Sequence, residues 1–106
     1  MRYRVDWTTR AEADLDRLFD FLIERELAWE DGDLSLPGRA VQAIRAAVAM
    51  LERVPFTCRG AGDGSSLREL VIASGSTGYV ALFDITADER VVIIAIRHQR
   101  EEDYSG

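Results

Sequence analysis

The stretch Arg90-Val-Val-Ile-Ile-Ala-Ile-Arg-His-Gln-Arg100 decides the fold of this chain. Its six consecutive apolar residues, 91–96, are too few for a typical helix. Because they do not alternate with polar residues, they predict a central strand that is covered on both faces. Arg97, His98 and Arg100 follow at once, and His98 is the only histidine of the sequence. We therefore expect a buried strand that delivers a cationic cluster to its own end.

Length and composition predict a single globular domain over residues 1–106. No run reaches the ~18–20 apolar residues of a membrane span, and the first residues lack the apolar region of a signal peptide. Cys58 is the only cysteine, so no internal disulfide can form and a reducing cytoplasm is the expected location. One histidine and one cysteine cannot complete a zinc site. We expect neither a metal nor another cofactor.

The charge of the chain argues against a protein that binds nucleic acid on its own. The net charge is −6, and all 13 basic residues are arginines. Residues 1–33 hold 10 acidic residues against 5 arginines, whereas residues 39–100 hold 8 arginines against 6 acidic residues. Autonomous nucleic-acid binders normally carry a clear basic excess, since phosphate contacts supply most of their affinity. Contact with RNA or DNA would be local, through a few arginines, or made inside a larger complex.

The first part of the sequence predicts a strand followed by a helix. Apolar and charged residues alternate over residues 2–7, which is the pattern of a half-buried strand. Thr9 and Glu12 fit a capping box, so a helix should begin at Thr9 and run towards Trp29. On a helical projection, one apolar stripe consists of Ala11, Leu15, Leu18, Phe19, Leu22 and Trp29. The carboxylates of this helix are expected on its solvated face.

A second helix follows a polar break at residues 30–33. Ser35-Leu-Pro-Gly38 predicts its start, since proline is tolerated in a first turn, and Pro55 predicts its end. Its apolar face consists of Ala40, Val41, Ile44, Ala47, Val48 and Leu51. Two helices joined by a short connection are expected to pack as an antiparallel hairpin.

Three apolar residues lie off the expected core. Phe21 and Leu27 fall outside the stripe of the first helix, and Met50 points away from the buried face of the second. They are surface scatter, or they pack under the connection 34–36, or they form an exposed docking surface for a partner segment.

The second half of the chain predicts an antiparallel meander. A glycine-containing loop, residues 56–66, is followed by predicted strands over residues 67–72, 79–85 and 91–97. Their short connections favour hairpins. The resulting order β-α-α-β-β-β predicts an α+β fold, with the helical hairpin packed on one face of a mainly antiparallel sheet.

The candidates for chemistry are Arg68, His98, Arg100 and Tyr104. Alternation places Arg68 on the face of Leu70 and Ile72, and it places His98 in phase with the even-numbered residues of 92–96.

Two interpretations of these residues stay open. In the first, Arg68 pairs with a carboxylate such as Glu69 or Asp84, and the terminal charges are solvated. In the second, the candidates line a cationic cleft for phosphate, with His98 as acid or base and Tyr104 as a donor. Arginine, histidine and tyrosine side chains could then support RNA cleavage without a metal.

Most of the chain, from Tyr3 to Tyr104, resembles the RelE/ParE superfamily of toxins from type II toxin–antitoxin (plasmid stabilisation) modules. The resemblance rests on the element order and on the segments Leu51-Glu-Arg-Val-Pro55, Leu67-Arg-Glu-Leu70, Gly78-Tyr-Val-Ala-Leu-Phe83 and Val92-Ile-Ile-Ala-Ile-Arg-His-Gln-Arg100. The His-x-Arg ending after an apolar strand is its most specific part. It implies a toxin domain with the α+β fold described above.

The resemblance implies one of two activities. RelE-like members are ribosome-dependent endoribonucleases that cut mRNA, whereas ParE-like members poison DNA gyrase. Arg68 falls on an arginine common in the superfamily, and His98, Arg100 and Tyr104 fall on the C-terminal motif where the nucleases place catalytic groups. The chain has no lysine to match the catalytic lysines of RelE. This departure favours the ParE-like activity, which is not enzymatic.

The resemblance also implies a cognate antitoxin, ParD-like or RelB-like. Its N-terminal part would bind operator DNA, which the toxin would meet only through the antitoxin. Its C-terminal segment would fold onto the toxin, across the helical hairpin and sheet edge, and Phe21, Leu27 and Met50 are the expected contacts. A third possibility is an inactive toxin that acts only in antitoxin binding and operon autoregulation.

Overall fold

Two helices pack on one face of a five-stranded sheet in this computed structural model, which describes residues 2–61, 66–75 and 77–100. In chain order the elements are β1 (Arg4–Trp7), α1 (Thr9–Leu27), α2 (Leu36–Ala49), β2 (Arg59–Gly60), β3 (Arg68–Ser74), β4 (Thr77–Ile85) and β5 (Arg90–His98). Short 3-10 helices at Met50–Glu52 and Pro55–Thr57 follow α2. The predicted α+β fold is confirmed, with the two-residue strand β2 added inside the segment that the sequence predicts as a loop.

Strand β5 lies inside the sheet, whose order is β1-β5-β4-β3-β2. It pairs in parallel with β1 and antiparallel with β4, and β3 and β2 continue the antiparallel part. Its predicted interior position is confirmed. The predicted coverage on both faces is met in part: Val91 and Ile93 are buried against the helices, and on the other face Ala95 is buried whereas Val92 and Ile94 are half-buried.

A β-bulge interrupts the alternation of β5. Leu82 pairs with Ala95, but the next residue of β4, Phe83, pairs with Ile93. Ile94 is therefore an extra residue without an opposite partner in β4. Such an insertion sends every later side chain of the strand to the other face of the sheet.

The bulge determines which face His98 occupies. Beyond it, Ile96 pairs with Ala81 and His98 pairs with Tyr79, and both of these partners belong to the core under the helices. His98 therefore shares a face with Ile96, as expected. The expected phase with residues 92 and 94 is wrong, because the extra residue lies between them and His98.

Helix α1 begins at Thr9, as predicted, but Thr9 is not its cap. The N-cap is Thr8, whose hydroxyl accepts a hydrogen bond from the N–H of Ala11 at 3.1 Å. The same hydroxyl donates to the carbonyl of Ile94 at 3.1 Å. Thr9 is thus the first helical residue and not the cap, and Glu12 pairs with α2 instead. The physical reason is that the Thr8 hydroxyl serves both the helix start and the bulge.

Asp14 contradicts the expectation that the carboxylates of α1 are solvated. It is 5% exposed, and its Oδ2 accepts a hydrogen bond from the backbone N–H of Ile96 at 3.0 Å. Arg10 and Arg17 lie 3.8 and 3.9 Å from its carboxylate oxygens. A carboxylate at this depth requires such partners, since burial without them is strongly unfavourable.

The apolar stripe of α1 is shorter than predicted. Its buried residues include Ala11, Leu15 and Leu18, whereas Phe19 and Trp29 are exposed. The helix ends at Leu27, so Trp29 lies outside the helical phase that would have buried it.

Helix α2 matches its prediction closely. Pro37 lies in the first turn, and the buried residues are Ala40, Ile44 and Val48, with Leu51 in the 3-10 turn that follows. The helix and this turn end before Pro55, as expected.

Candidate functional site

A groove of about 940 Å³ opens between α1, the start of α2, the β3–β4 turn and the end of β5. We call it the arginine groove. It is lined by Arg17, Leu18, Phe21, Leu22, Arg25, Glu26, Leu36, Arg39, Ala40, Ser74, Gly75, Thr77, Tyr79, His98 and Arg100. Its volume is that of ligand-binding pockets, roughly 300–1,000 Å³. Because apolar and basic side chains share its walls, it suits a ligand with both apolar and acidic groups.

The arginine groove carries positive charge on a protein that is acidic as a whole. Four of its lining residues are arginines and one is a glutamate, whereas the net charge of the chain is −6. Arg17 and Arg39 are each paired with a carboxylate, at 3.9 and 2.9 Å. Arg25 and Arg100 form no ion pair within the described part of the chain. These two are the cations available to a bound anion.

The ring of His98 is hydrogen-bonded at both nitrogens. Nδ1 accepts from the backbone N–H of Arg100 at 3.1 Å, and Nε2 is hydrogen-bonded to the hydroxyl of Thr77. The ring also meets Tyr79 edge to face, with centroids 5.5 Å apart. Because Nδ1 accepts, the proton of the neutral ring lies on Nε2 and is donated to Thr77. His98 therefore ties the end of β5 to the start of β4.

Tyr79 lines the arginine groove from the core side. It is 1% exposed, and its hydroxyl has no hydrogen-bond partner among the described residues. Burial raises the pKa of Tyr79, and the charge of Arg25 opposes this in part. The hydroxyl is therefore a neutral donor at physiological pH.

Arg68 is committed to backbone carbonyls. Its Nη1 donates to the carbonyl of Cys58 at 2.8 Å and to that of Phe56 at 3.4 Å. The guanidinium also lies 5.3 Å from the centroid of the Phe56 ring. The expected ion pair of Arg68 with Glu69 or Asp84 does not form. Arg68 instead holds the segment before β2 against the sheet.

Glu69 and Asp84 have other partners, which explains why neither pairs with Arg68. Glu69 lies on the opposite sheet face, where its oxygens are 3.2 Å from Arg59 and 3.5 Å from Arg97. Asp84 accepts from the hydroxyl of Ser66 at 3.2 Å.

The structure brings together some of the candidate residues but not all of them. His98 and Arg100 both line the arginine groove. Arg68 pairs with position 83 of β4 and His98 with position 79, so four strand residues, about 13 Å, separate them along the sheet. Tyr104 lies outside the described residues.

The three off-core apolar residues are exposed, as expected. Phe21 is 56%, Leu27 65% and Met50 63% exposed. They do not pack under the connection between the helices, whose Leu34 and Leu36 are exposed themselves. Phe21 lines the arginine groove, whereas Met50 lies at the other end of the helical hairpin. Their predicted role in antitoxin binding stays a prediction.

The sequence contains a further signal for part of this groove, besides His98 and Arg100. Arg17, Phe21 and Arg25 are spaced four residues apart, so they lie along one side of α1. The alternation of Tyr79 with Ala81 and Phe83 likewise places Tyr79 on the core face of β4. The sequence therefore predicts a basic and apolar side of α1 and a buried tyrosine on β4. It does not predict that the end of β5 completes the arginine groove, because that depends on the bulge.

The described residues offer little support for other kinds of site. They contain no cluster of three His, Cys, Asp or Glu side chains placed to hold a metal ion. No helix among them combines the length and apolar character needed to cross a membrane. Burial raises the pKa of the Cys58 thiol, which disfavours the nucleophilic thiolate.

Comparison with known proteins relates the chain to toxin–antitoxin systems. Residues 5–103 match a family described as the ParE toxin of the type II toxin–antitoxin system parDE. A comparison with curated protein sequences gives no significant match.

Solved structures share the fold. A chain from the chromosomal ParDE system of P. aeruginosa superposes with a TM-score of 0.71 at 23% identity, covering 92% of this chain and 96% of that chain. A chain of the RelBE2 toxin–antitoxin complex of Mycobacterium tuberculosis gives 0.60 at 21% identity, with 93% and 100% covered. A mutant of the E. coli toxin RelE in the free state gives 0.57 at 13% identity, with 91% and 82% covered.

Proposed function

This chain belongs to the ParE toxin family of type II toxin–antitoxin systems, and we propose that it inhibits DNA gyrase and is neutralised by a cognate antitoxin. The observation that carries the proposal is the extent of the family match, which covers residues 5–103 of 106. The match includes the helical hairpin, the meander and the end of β5, so it is not confined to one motif.

The geometry supports a toxin that acts by binding. A metal-independent ribonuclease has to gather an acid, a base and a charge-stabilising group around one phosphate. Here Arg68 lies about 13 Å along the sheet from His98 and is bonded to carbonyls. The ring nitrogens of His98 are engaged by Thr77 and Arg100. The chain also has no lysine that could replace them.

One observation favours the RelE-like alternative, a ribosome-dependent mRNA endoribonuclease. His98 and Arg100 line the same basic groove, and Arg25 stands there without an ion pair among the described residues. A phosphate could meet these cations. This alternative requires His98 to leave its contact with Thr77 before it could transfer a proton.

The proposed partner is a ParD-like antitoxin that covers the exposed apolar residues of the helical hairpin. Its binding would keep the toxin inactive until the antitoxin is lost. The net charge of −6 supports the view that the toxin meets operator DNA only through this partner. The proposed location is the cytoplasm, where DNA gyrase acts.

Two experiments test the proposal. Induction of the toxin alone in a bacterial host should arrest growth, and co-expression of the antitoxin encoded alongside it should restore growth. Purified toxin should inhibit supercoiling by DNA gyrase. Normal growth on induction of a folded toxin would instead indicate an inactive protein that serves only antitoxin binding and autoregulation.

A further inference from the structure

The hydroxyl of Tyr79 is an unused hydrogen-bonding group at the arginine groove. Tyr79 lines the groove and is 1% exposed, yet its hydroxyl has no partner in the segments that the structure describes. Buried polar groups are nearly always hydrogen-bonded, because an unpaired one destabilises the fold. The hydroxyl oxygen has almost no solvent-accessible surface, so a molecule that binds in the groove supplies the missing partner by displacing the side chains that cover it.

The charged group that acts on this hydroxyl is the cation of Arg25, so the matching partner is an acceptor. Burial raises the pKa of Tyr79, which keeps the hydroxyl protonated. Arg25 lies close enough for its charge to act on Tyr79, and it has no ion pair among the described residues. A hydroxyl beside a guanidinium matches an anion, since hydrogen bonds between charged groups are the strong ones.

The apolar walls of the groove indicate which class of anionic ligand it can bind. Phe21, Leu22 and Leu36 line it together with the arginines, and Phe21 is more than half exposed. A nucleic acid would bring phosphates but no aliphatic side chains for these walls, and the net charge of −6 would repel it. A peptide segment that carries a carboxylate among apolar residues satisfies both features.

We propose that Tyr79 and Arg25 form a carboxylate-binding subsite that takes one Asp or Glu side chain of the antitoxin. The apolar neighbours of that acidic residue pack on Phe21. The subsite rests on the proposed toxin function, because its occupant is the antitoxin. The subsite explains why an acidic protein has several arginines at this one groove: the arginines attract and orient an acidic segment of the antitoxin.

Calorimetric titration of the toxin with its cognate antitoxin tests the subsite. Tyr79→Phe should weaken binding about tenfold or more, because it removes a hydrogen bond to a charged group. Its melting temperature should stay equal or rise, because in the free toxin the hydroxyl has no partner to lose. The matched control is Tyr3→Phe, which lies outside the groove and should bind like the wild type.

A second pair of variants tests the cation. Arg25→Gln should weaken antitoxin binding and reduce its dependence on salt concentration, whereas Arg53→Gln, an exposed arginine outside the groove, should do neither. Antitoxin variants with single Asp→Ala or Glu→Ala substitutions, which remove the acceptor altogether, identify the occupant. One of them should bind wild-type toxin and Tyr79→Phe with equal affinity, because the contact is already missing.

The outcomes separate the subsite from the toxin function. Unchanged antitoxin affinity in Tyr79→Phe and Arg25→Gln overturns the subsite and leaves the toxin function standing. If both variants keep their antitoxin affinity but lose binding to a single-stranded RNA oligonucleotide, the groove is a nucleic-acid site and the subsite is also overturned. If no acidic substitution in the antitoxin cancels the effect of Tyr79→Phe, the acceptor is not a side-chain carboxylate. Failure of the antitoxin to bind wild-type toxin contradicts the proposed function itself.

Discussion

The carboxylate of Asp14 accepts a hydrogen bond from the backbone N–H of Ile96 at 3.0 Å, two residues beyond the bulged residue Ile94 of β5. Thr8, at the start of the same helix, donates to the carbonyl of Ile94 at 3.1 Å. The first turns of α1 therefore hold the bulge on both sides. Because the bulge places His98 on the helix face, α1 also determines that His98 lines the arginine groove.

Removal of the Asp14 carboxylate should destabilise the protein. Asp14→Ala leaves the N–H of Ile96 unpaired in a buried place, and the free energy of unfolding should fall by roughly 1–3 kcal/mol. Asp14→Asn keeps an acceptor and should lose less. Urea unfolding measures both. Asp16→Ala, at an exposed position of the same helix, is the matched control and should change little. An equal loss in Asp14→Ala and Asp16→Ala would show that the contact with β5 is unimportant.

His98 and Arg100 should differ in what their removal does. His98→Ala breaks the contacts with Thr77 and with the Arg100 backbone, and a loss of about 1 kcal/mol would lower the melting temperature by roughly 4–8 °C. Arg100→Ala removes only an exposed side chain, so it should leave the melting temperature nearly unchanged while reducing toxicity. Thermal unfolding and growth assays measure the two effects. Full toxicity of Arg100→Ala would exclude this residue from contact with the target.

Much of the fold follows from local pattern. The alternation of β1, the apolar face of α2 and the short connections of the meander are each set by nearby residues, so the sequence predicts them well. The bulge could not be predicted in this way. The run 91–96 is apolar at every position, so it contains no polar residue to show where the phase changes. The contacts that hold the bulge come from Thr8 and Asp14, more than eighty residues earlier in the chain.

Burial of Tyr79 should make stability depend on alkaline pH. Because burial raises its pKa above the unfolded value of about 10, its contribution is complete below pH ~10 and is lost as pH rises towards the folded pKa. The free energy of unfolding should fall less in Tyr79→Phe than in the wild type between pH 9 and 11, values set by that window. Tyr3→Phe should behave like the wild type. Parallel curves for all three proteins would contradict an effect of Tyr79 burial.

The exposed apolar residues of the helical hairpin should contribute to antitoxin binding. Full burial of one such side chain is worth roughly 1.5–3 kcal/mol, so Phe21→Ala, Leu27→Ala and Met50→Ala should each weaken binding about tenfold or more. Killing by free toxin should be retained in Leu27→Ala and Met50→Ala, because both residues are exposed and neither lines the groove that contains Arg100. Calorimetry measures the affinities. Unchanged affinity in all three variants would remove the hairpin from the antitoxin interface.

The distance between Phe21 and Met50 limits how a single antitoxin segment can bind. The ion pair of Glu12 with Arg45 shows the antiparallel register of the two helices. From that register, Phe21 and Met50 lie roughly 20 Å apart along the hairpin. One antitoxin segment that contacts both must therefore run along the length of the hairpin. If only Phe21→Ala and Leu27→Ala weaken binding, the segment is confined to the end that adjoins the arginine groove.

The site was less predictable than the fold, and for a different reason. Residue type alone points to Arg68, His98 and Arg100, but strand register decides which of them lie close together. Arg68 and His98 lie on strands separated by β4 and at different heights along it. Arg25 and Tyr79 do not stand out in the sequence, because a single arginine on a helix and a single core tyrosine are both common. Only the packing of α1 on the sheet brings them to the lining of one groove.

The central claim is that the toxin acts on DNA gyrase, and a gyrase assay with purified components tests it most directly. Relaxed plasmid, ATP and gyrase are incubated with increasing toxin, with and without the antitoxin, while translated mRNA exposed to the same toxin is analysed by primer extension. We expect loss of supercoiling or trapping of cleaved DNA, reversal of this effect by the antitoxin, and intact mRNA. Cleavage of mRNA in the ribosomal A site by a toxin that leaves gyrase fully active would contradict the account.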